Sequence, residues 1–85
     1  MAYKLLFDDK VSKDLKKIDK YWQKKILEAI KTYLLKDPYI GKKLVGELSS
    51  YYRYRVNDYR VIYEILDDEI LLVIIKIKHR KDVYK

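Results

Sequence analysis

Hydrophobic and polar positions follow two different periods along this chain. Near the start, Tyr3, Leu5 and Phe7 alternate with Lys4, which predicts a short strand closed by Asp8 and Asp9. Either aspartate can cap a helix that follows. Val11, Leu15, Ile18, Trp22, Ile26, Ile30, Tyr33 and Leu34 then recur at a helical spacing up to Lys36, where the pair Asp37 and Pro38 stops the run. As one straight helix this stretch would measure about 39 Å at 1.5 Å per residue. A compact chain of this length has a diameter of only about 30 Å. The mismatch predicts a break near Asp19 to Tyr21, giving a short helix and a longer one packed as a hairpin.

Pro38 to Ser50 holds both glycines, Gly41 and Gly46, around Leu44 and Leu48, and reads as a surface loop pinned at two points. Beyond it the period falls to two. Tyr51 to Val56, Tyr59 to Leu66 and Ile70 to Lys78 are rich in Tyr, Val and Ile, and Asn57-Asp58 and Asp67-Asp68-Glu69 separate them as turns. In the last strand Leu71, Val73, Ile75 and Ile77 are expected to face the core, with Ile70, Leu72 and Ile74 giving way on the other face to Lys76, Lys78 and Arg80. The order strand, two helices, three strands predicts an α+β fold in which a helical hairpin covers one face of an antiparallel meander.

At 85 residues, a single domain spanning 1–85 is expected, and 49% hydrophobic residues with only two glycines and one proline are those of a chain that folds. The absence of cysteine removes disulfides, thiolate metal sites and cysteine nucleophiles, and fits a reducing, cytoplasmic setting. The longest apolar stretch, Ile70 to Ile75, is far short of the roughly 20 residues of a membrane span. MAYKLLFDDK carries charges where a signal peptide needs an apolar block, so no membrane partner is expected.

Charge changes the picture more. Twenty Lys and Arg against thirteen Asp and Glu give a formal net charge of +7, which favours a polyanionic partner, nucleic acid above membrane. Lysines are spread along the chain, but all four arginines, Arg53, Arg55, Arg60 and Arg80, lie in the strand region. An arginine fork matches phosphate bidentately where lysine offers a point charge. Arg53 and Arg55 share a strand face by the period of two, and Arg60, Lys78, His79, Arg80, Lys81 and Tyr84 follow on the neighbouring segments. This set reads either as a water-facing basic surface or as a phosphodiester site. His79 is the only histidine, there is no Gly-rich phosphate loop and no nucleophile elbow, so neither a metal nor a cofactor is expected. RNA can be cleaved without metal through its own 2′-hydroxyl, given a base, an acid and cations around the transition state. Clustered arginines supply the cations, and their field favours the phenolate of a nearby tyrosine such as Tyr84.

The segment YYRYRVNDYRVIYEI, followed by an acidic turn, an apolar strand and KHRKDVY, resembles the signature of the RelE-type toxins of prokaryotic toxin-antitoxin systems. YKLLFDDKVSKDLKKID is similar to that family's first strand and helix, and KDPYIGKKLVGELSSYY to its connection into the sheet. The resemblance implies a microbial-ribonuclease-like α+β fold, neutralisation by a cognate antitoxin in a hetero-oligomer, and cleavage of mRNA in the ribosomal A site. It implies that Arg53 and Arg55 stabilise charge at the scissile phosphate, that Arg60 clamps it, that Arg80 serves the leaving group and that Tyr84 is the general base. Lys78 and Lys81 would contact mRNA or ribosomal RNA. His79 is expected to point to the apolar side in a structural role, and Tyr21, Trp22 and Tyr33 to pack within the helical hairpin. Two other readings remain: a ParE-type toxin, which shares the fold and the YRVIY-like strand but poisons DNA gyrase, and an inactive relative that only binds its antitoxin.

Overall fold

The computed structural model describes residues 3–46 and 50–81. Strand β1 (Lys4–Phe7) leads into helix α1 (Asp9–Lys16) through Asp8, whose carboxylate accepts from the Lys10 N–H at 3.0 Å and satisfies a donor the helix start leaves free. The chain breaks at residues 17–19, and Asp19 caps α2 (Lys20–Ala29) by accepting from Trp22 N–H at 3.0 Å. The break falls where the size argument put it. A residue the periodicity does not single out seals it: Gln23 Nε2 donates to Leu15 O and Ile18 O, each at 2.7 Å, tying the start of α2 to the end of α1. α2 continues as one wide π turn (Ile30–Leu34), and a short 3-10 turn (Pro38–Ile40) follows, with Asp37 accepting from Tyr39 N–H at 3.2 Å.

Four further strands complete a sheet ordered β1-β5-β4-β3-β2: β2 (Lys42–Lys43), β3 (Tyr51–Val56), β4 (Tyr59–Leu66) and β5 (Leu71–His79). β1 lies parallel to β5, and every other pairing is antiparallel. The segment read as a loop therefore contributes an edge strand at Lys42–Lys43; Leu48, the second of its expected pins, falls outside the described residues. The radius of gyration is 12.2 Å. Among the described residues no helix is long and apolar enough to cross a membrane.

The helices cover one face of the sheet. Val11, Ile18, Ile26, Ile30 and Leu34 from the helices meet Val61, Tyr63, Leu72, Ile74 and Ile77 from β4 and β5. Fully burying each such side chain contributes roughly 1.5–3 kcal/mol. The face expected for β5 is corrected here. β4 and β5 shift register between Ile62 and Tyr63, which pair with Lys76 and Ile74, so Ile75 is an extra residue in a β-bulge. Leu72 and Ile74 before the bulge and Ile77 after it face the helices, while Leu71, Val73 and Ile75 stay only half-buried. Two aromatics also depart from expectation. Trp22 packs against the core, but Tyr21 and Tyr33 are 62% and 55% exposed.

Two tyrosine clusters hold the sheet end away from the β3–β4 turn. The Tyr63 hydroxyl donates to Pro38 O at 2.6 Å, and burial pushes its phenol up to about 12. Tyr63 stacks on Tyr52 at 5.7 Å, which meets Tyr39 edge-on at 5.8 Å. At the surface, Tyr3 donates to Asp67 Oδ1 at 2.7 Å and Tyr39 donates to its other oxygen. These two phenols hold the Asp67 carboxyl below its ordinary range, and the carboxylate in turn raises both phenols.

Candidate functional site

The face of the sheet away from the helices carries the charge. β3 and β4 are joined by Asn57-Asp58, with Asn57 at φ +53°, a conformation asparagine tolerates better than most residues. This tight connection fixes the register Arg55↔Arg60 and Arg53↔Ile62. β4 against β5 gives Arg60↔Lys78 and Ile62↔Lys76, and β2 against β3 gives Lys42↔Arg53. Side chains opposite one another in a ladder share a face, with Cβ atoms about 5 Å apart. Two adjacent rows result, Arg55-Arg60-Lys78 and Lys42-Arg53-Ile62-Lys76, and they place six cations side by side.

Individual side chains differ in how they are held. Arg55 Nε donates to Asn57 O at 3.1 Å, so this exposed arginine braces the turn. Arg60 is only partly exposed, and its Nη1 is buried without a hydrogen-bond partner among the described residues. An unsatisfied buried donor costs about 1–3 kcal/mol. The six cations repel one another and raise the local affinity for polyanions. Among the described residues, no group of histidine, cysteine and carboxylates is placed to hold a metal ion.

The expected site residues do not all converge. Arg53, Arg60 and Lys78 line one recess together, and Arg55 shares their face. Arg80 lies past the end of β5, where its N–H donates to Asp58 O at 2.7 Å and its guanidinium stands 3.9 Å from the Asp58 carboxylate. That exposed pair is worth little and leaves the side chain free to move. Lys81 donates its N–H to His79 Nδ1 at 3.1 Å, outside the two rows. His79 packs edge-on to Tyr59 at 5.1 Å, beside the helix side of the sheet, the side expected for it. Tyr84 lies outside the described residues. Lys42 joins the face without any signal in the sequence, because its segment reads as loop; only its pairing with Arg53 brings it there.

Comparison with known proteins places this arrangement in context. Residues 5–84 match the model of a family described as the ParE toxin of type II toxin-antitoxin systems. The chain is 30% identical over 86 residues to toxin RelG of Mycobacterium tuberculosis, covering 100% of this chain and 99% of RelG. It is 33% identical over 89 residues to a Methanocaldococcus jannaschii toxin named RelE1, covering 100% of this chain and 98% of that one. The solved toxin-antitoxin complex RelBE2 of M. tuberculosis contains a chain with the same fold, at a TM-score of 0.89 and 28% identity over 94% of this chain and 100% of that one.

Proposed function

The chain belongs to the RelE/ParE superfamily of toxins of type II toxin-antitoxin systems, and from that premise we propose that it is an mRNA endoribonuclease that acts on the ribosome and is silenced by a cognate antitoxin. The observation that carries this reading is the pair of cationic rows on the open face, with Arg60 half-buried among them and its Nη1 without a hydrogen-bond partner among the described residues. A gyrase poison has no need of a phosphate-shaped cluster there. Solved relatives such as RelBE2 are complexes with antitoxins, which supports a protein partner of that kind for this chain.

The chemistry follows from the cations. RNA supplies its own nucleophile, the 2′-hydroxyl, which attacks the adjacent phosphorus and expels the 5′-oxygen, leaving a 2′,3′-cyclic phosphate. The transition state gathers negative charge on the non-bridging oxygens, and fixed donors aimed at that charge accelerate the step more than donors that must first reorganise. Arg60, held between Arg55 and Lys78 in its row, is the clamp; Arg53, one row away, widens the cradle. The leaving oxygen needs a proton. A guanidinium gives one up far less readily than an ammonium does, so Lys78, in register with Arg60, takes the role of acid at the leaving oxygen, and Arg80 extends the field at the turn. Tyr84 completes the set as general base, on the strength of the family motif KHRKDVY.

The test is cleavage of a defined mRNA on programmed ribosomes by wild type and by Arg60→Ala, with the 3′ ends of the products identified. Cyclic-phosphate ends that depend on Arg60 are expected. The ParE description of the matching family model favours a second reading, gyrase poisoning, in which purified protein stabilises gyrase-DNA cleavage complexes and leaves mRNA intact.

A further inference from the structure

The cationic face is not flat. Between its rows lies a recess of about 300 Å³ whose floor is apolar, built from Leu44, Ile62 and Ile75, with Tyr51 at its side. Arg53, Arg60, Lys76 and Lys78 form the rim. A phosphate binds through its oxygens and gains nothing from isoleucine. The floor is also costly as a water-facing surface, since Ile75 lies on the face opposite Leu72 and Ile74 and joins it instead of the core. No carboxylate lines the recess among the described residues. An apolar slot with a tyrosine ring, edged by cations, has the chemistry of a groove for unpaired nucleotides, where bases stack on aromatic faces while the backbone tracks positive charge.

We propose that this recess is a base subsite: the nucleobase next to the bound phosphate lies over Ile62 and Ile75 against the Tyr51 ring, while Arg60 and the other cations of the rim hold that nucleotide's phosphate. The proposal rests on the ribonuclease reading and adds to it the residues that hold the base. It assigns Tyr51, Ile62 and Ile75 to substrate binding, separately from the cations that act on the phosphate.

The experiment follows the isoleucine methyl signals of the whole protein by NMR during titration with a nucleoside 3′-monophosphate, and in parallel with inorganic phosphate. The nucleotide is expected to shift the Ile62 and Ile75 methyls, and phosphate to leave them in place. Tyr51→Ala should weaken nucleotide binding about tenfold without changing phosphate binding, and Tyr51→Phe, which keeps the ring, should restore it. Equal methyl shifts with phosphate alone, or unchanged nucleotide affinity in Tyr51→Ala, would overturn the proposal. So would methyl shifts produced by an acidic peptide with an apolar anchor but by no nucleotide. The two readings fail separately. Nucleotide binding without ribosomal cleavage removes the nuclease and keeps the subsite, whereas cleavage by Tyr51→Ala at the wild-type rate, with silent methyls, removes the subsite and keeps the nuclease.

Discussion

Arg60 is where packing and chemistry meet. Its Nη1 is buried without a partner among the described residues, and the free protein carries that cost. Losing one donor to a developing oxyanion typically lowers rates by about 10²–10³, so Arg60→Ala should lose cleavage on that scale while its unfolding temperature is no lower than that of wild type, because the unpaired donor leaves with the side chain. Lys78→Ala should be more damaging than Arg80→Ala, because Lys78 stands in register with Arg60 while Arg80 is drawn towards Asp58 beyond the strand end. Rate measurements on the two variants decide between them, and a larger loss in Arg80→Ala would return the leaving-group role to that residue. The motif positions of Arg53, Arg55 and Arg60 were legible from alternation and family likeness. The burial of the Arg60 Nη1 was not, since it depends on what surrounds the guanidinium in space.

Among the elements, the helices were the easier to read, because a 3.6-residue spacing bounded by Asp8 and by Asp37-Pro38 leaves few alternatives, and the length of that run against the size of the chain placed the break near Asp19. β5 was not. Its run Ile70 to Ile75 is apolar at every position, so alternation cannot say which side is inward, and the bulge at Ile75 then changes the parity midway. β1 beside β5 and the two-residue β2 are equally silent, since partner choice lies outside any local pattern. The approach of the chain to the sheet before β2 depends on Gly41. A Cβ built there would stand 2.1 Å from the Tyr63 hydroxyl and 2.8 Å from Arg53 O. Gly41→Ala should therefore cost about 1–3 kcal/mol, as overpacking does. Denaturant unfolding checks this, and a variant as stable as wild type would mean that the segment shifts freely.

For the whole molecule, pH and salt act through different groups. Asp67 has its folded pKa lowered by the phenols of Tyr39 and Tyr3. Its contribution is present above the ordinary carboxylate value and is lost as pH falls through the folded one. Asp67→Asn should therefore reduce stability near neutrality and flatten the acid limb of the stability curve. Tyr63 runs the other way. Its phenol is raised by burial to about 12, so the stability it supports is complete below pH 10 and is lost on the order of 2 kcal/mol between pH 10 and 12. Unfolding followed across pH should show both limbs, with Tyr63→Phe reducing the alkaline one, to which the raised phenols of Tyr39 and Tyr3 also contribute. Binding to RNA, with a formal net charge of +7, should weaken steeply as salt rises.

The fate of mRNA on a programmed ribosome tests the ribonuclease reading most directly. Wild type is predicted to cut the message within the A site, leaving 2′,3′-cyclic phosphate ends that Arg60→Ala fails to produce. Intact mRNA in the presence of folded wild-type protein, or cleavage undiminished in Arg60→Ala, would contradict it.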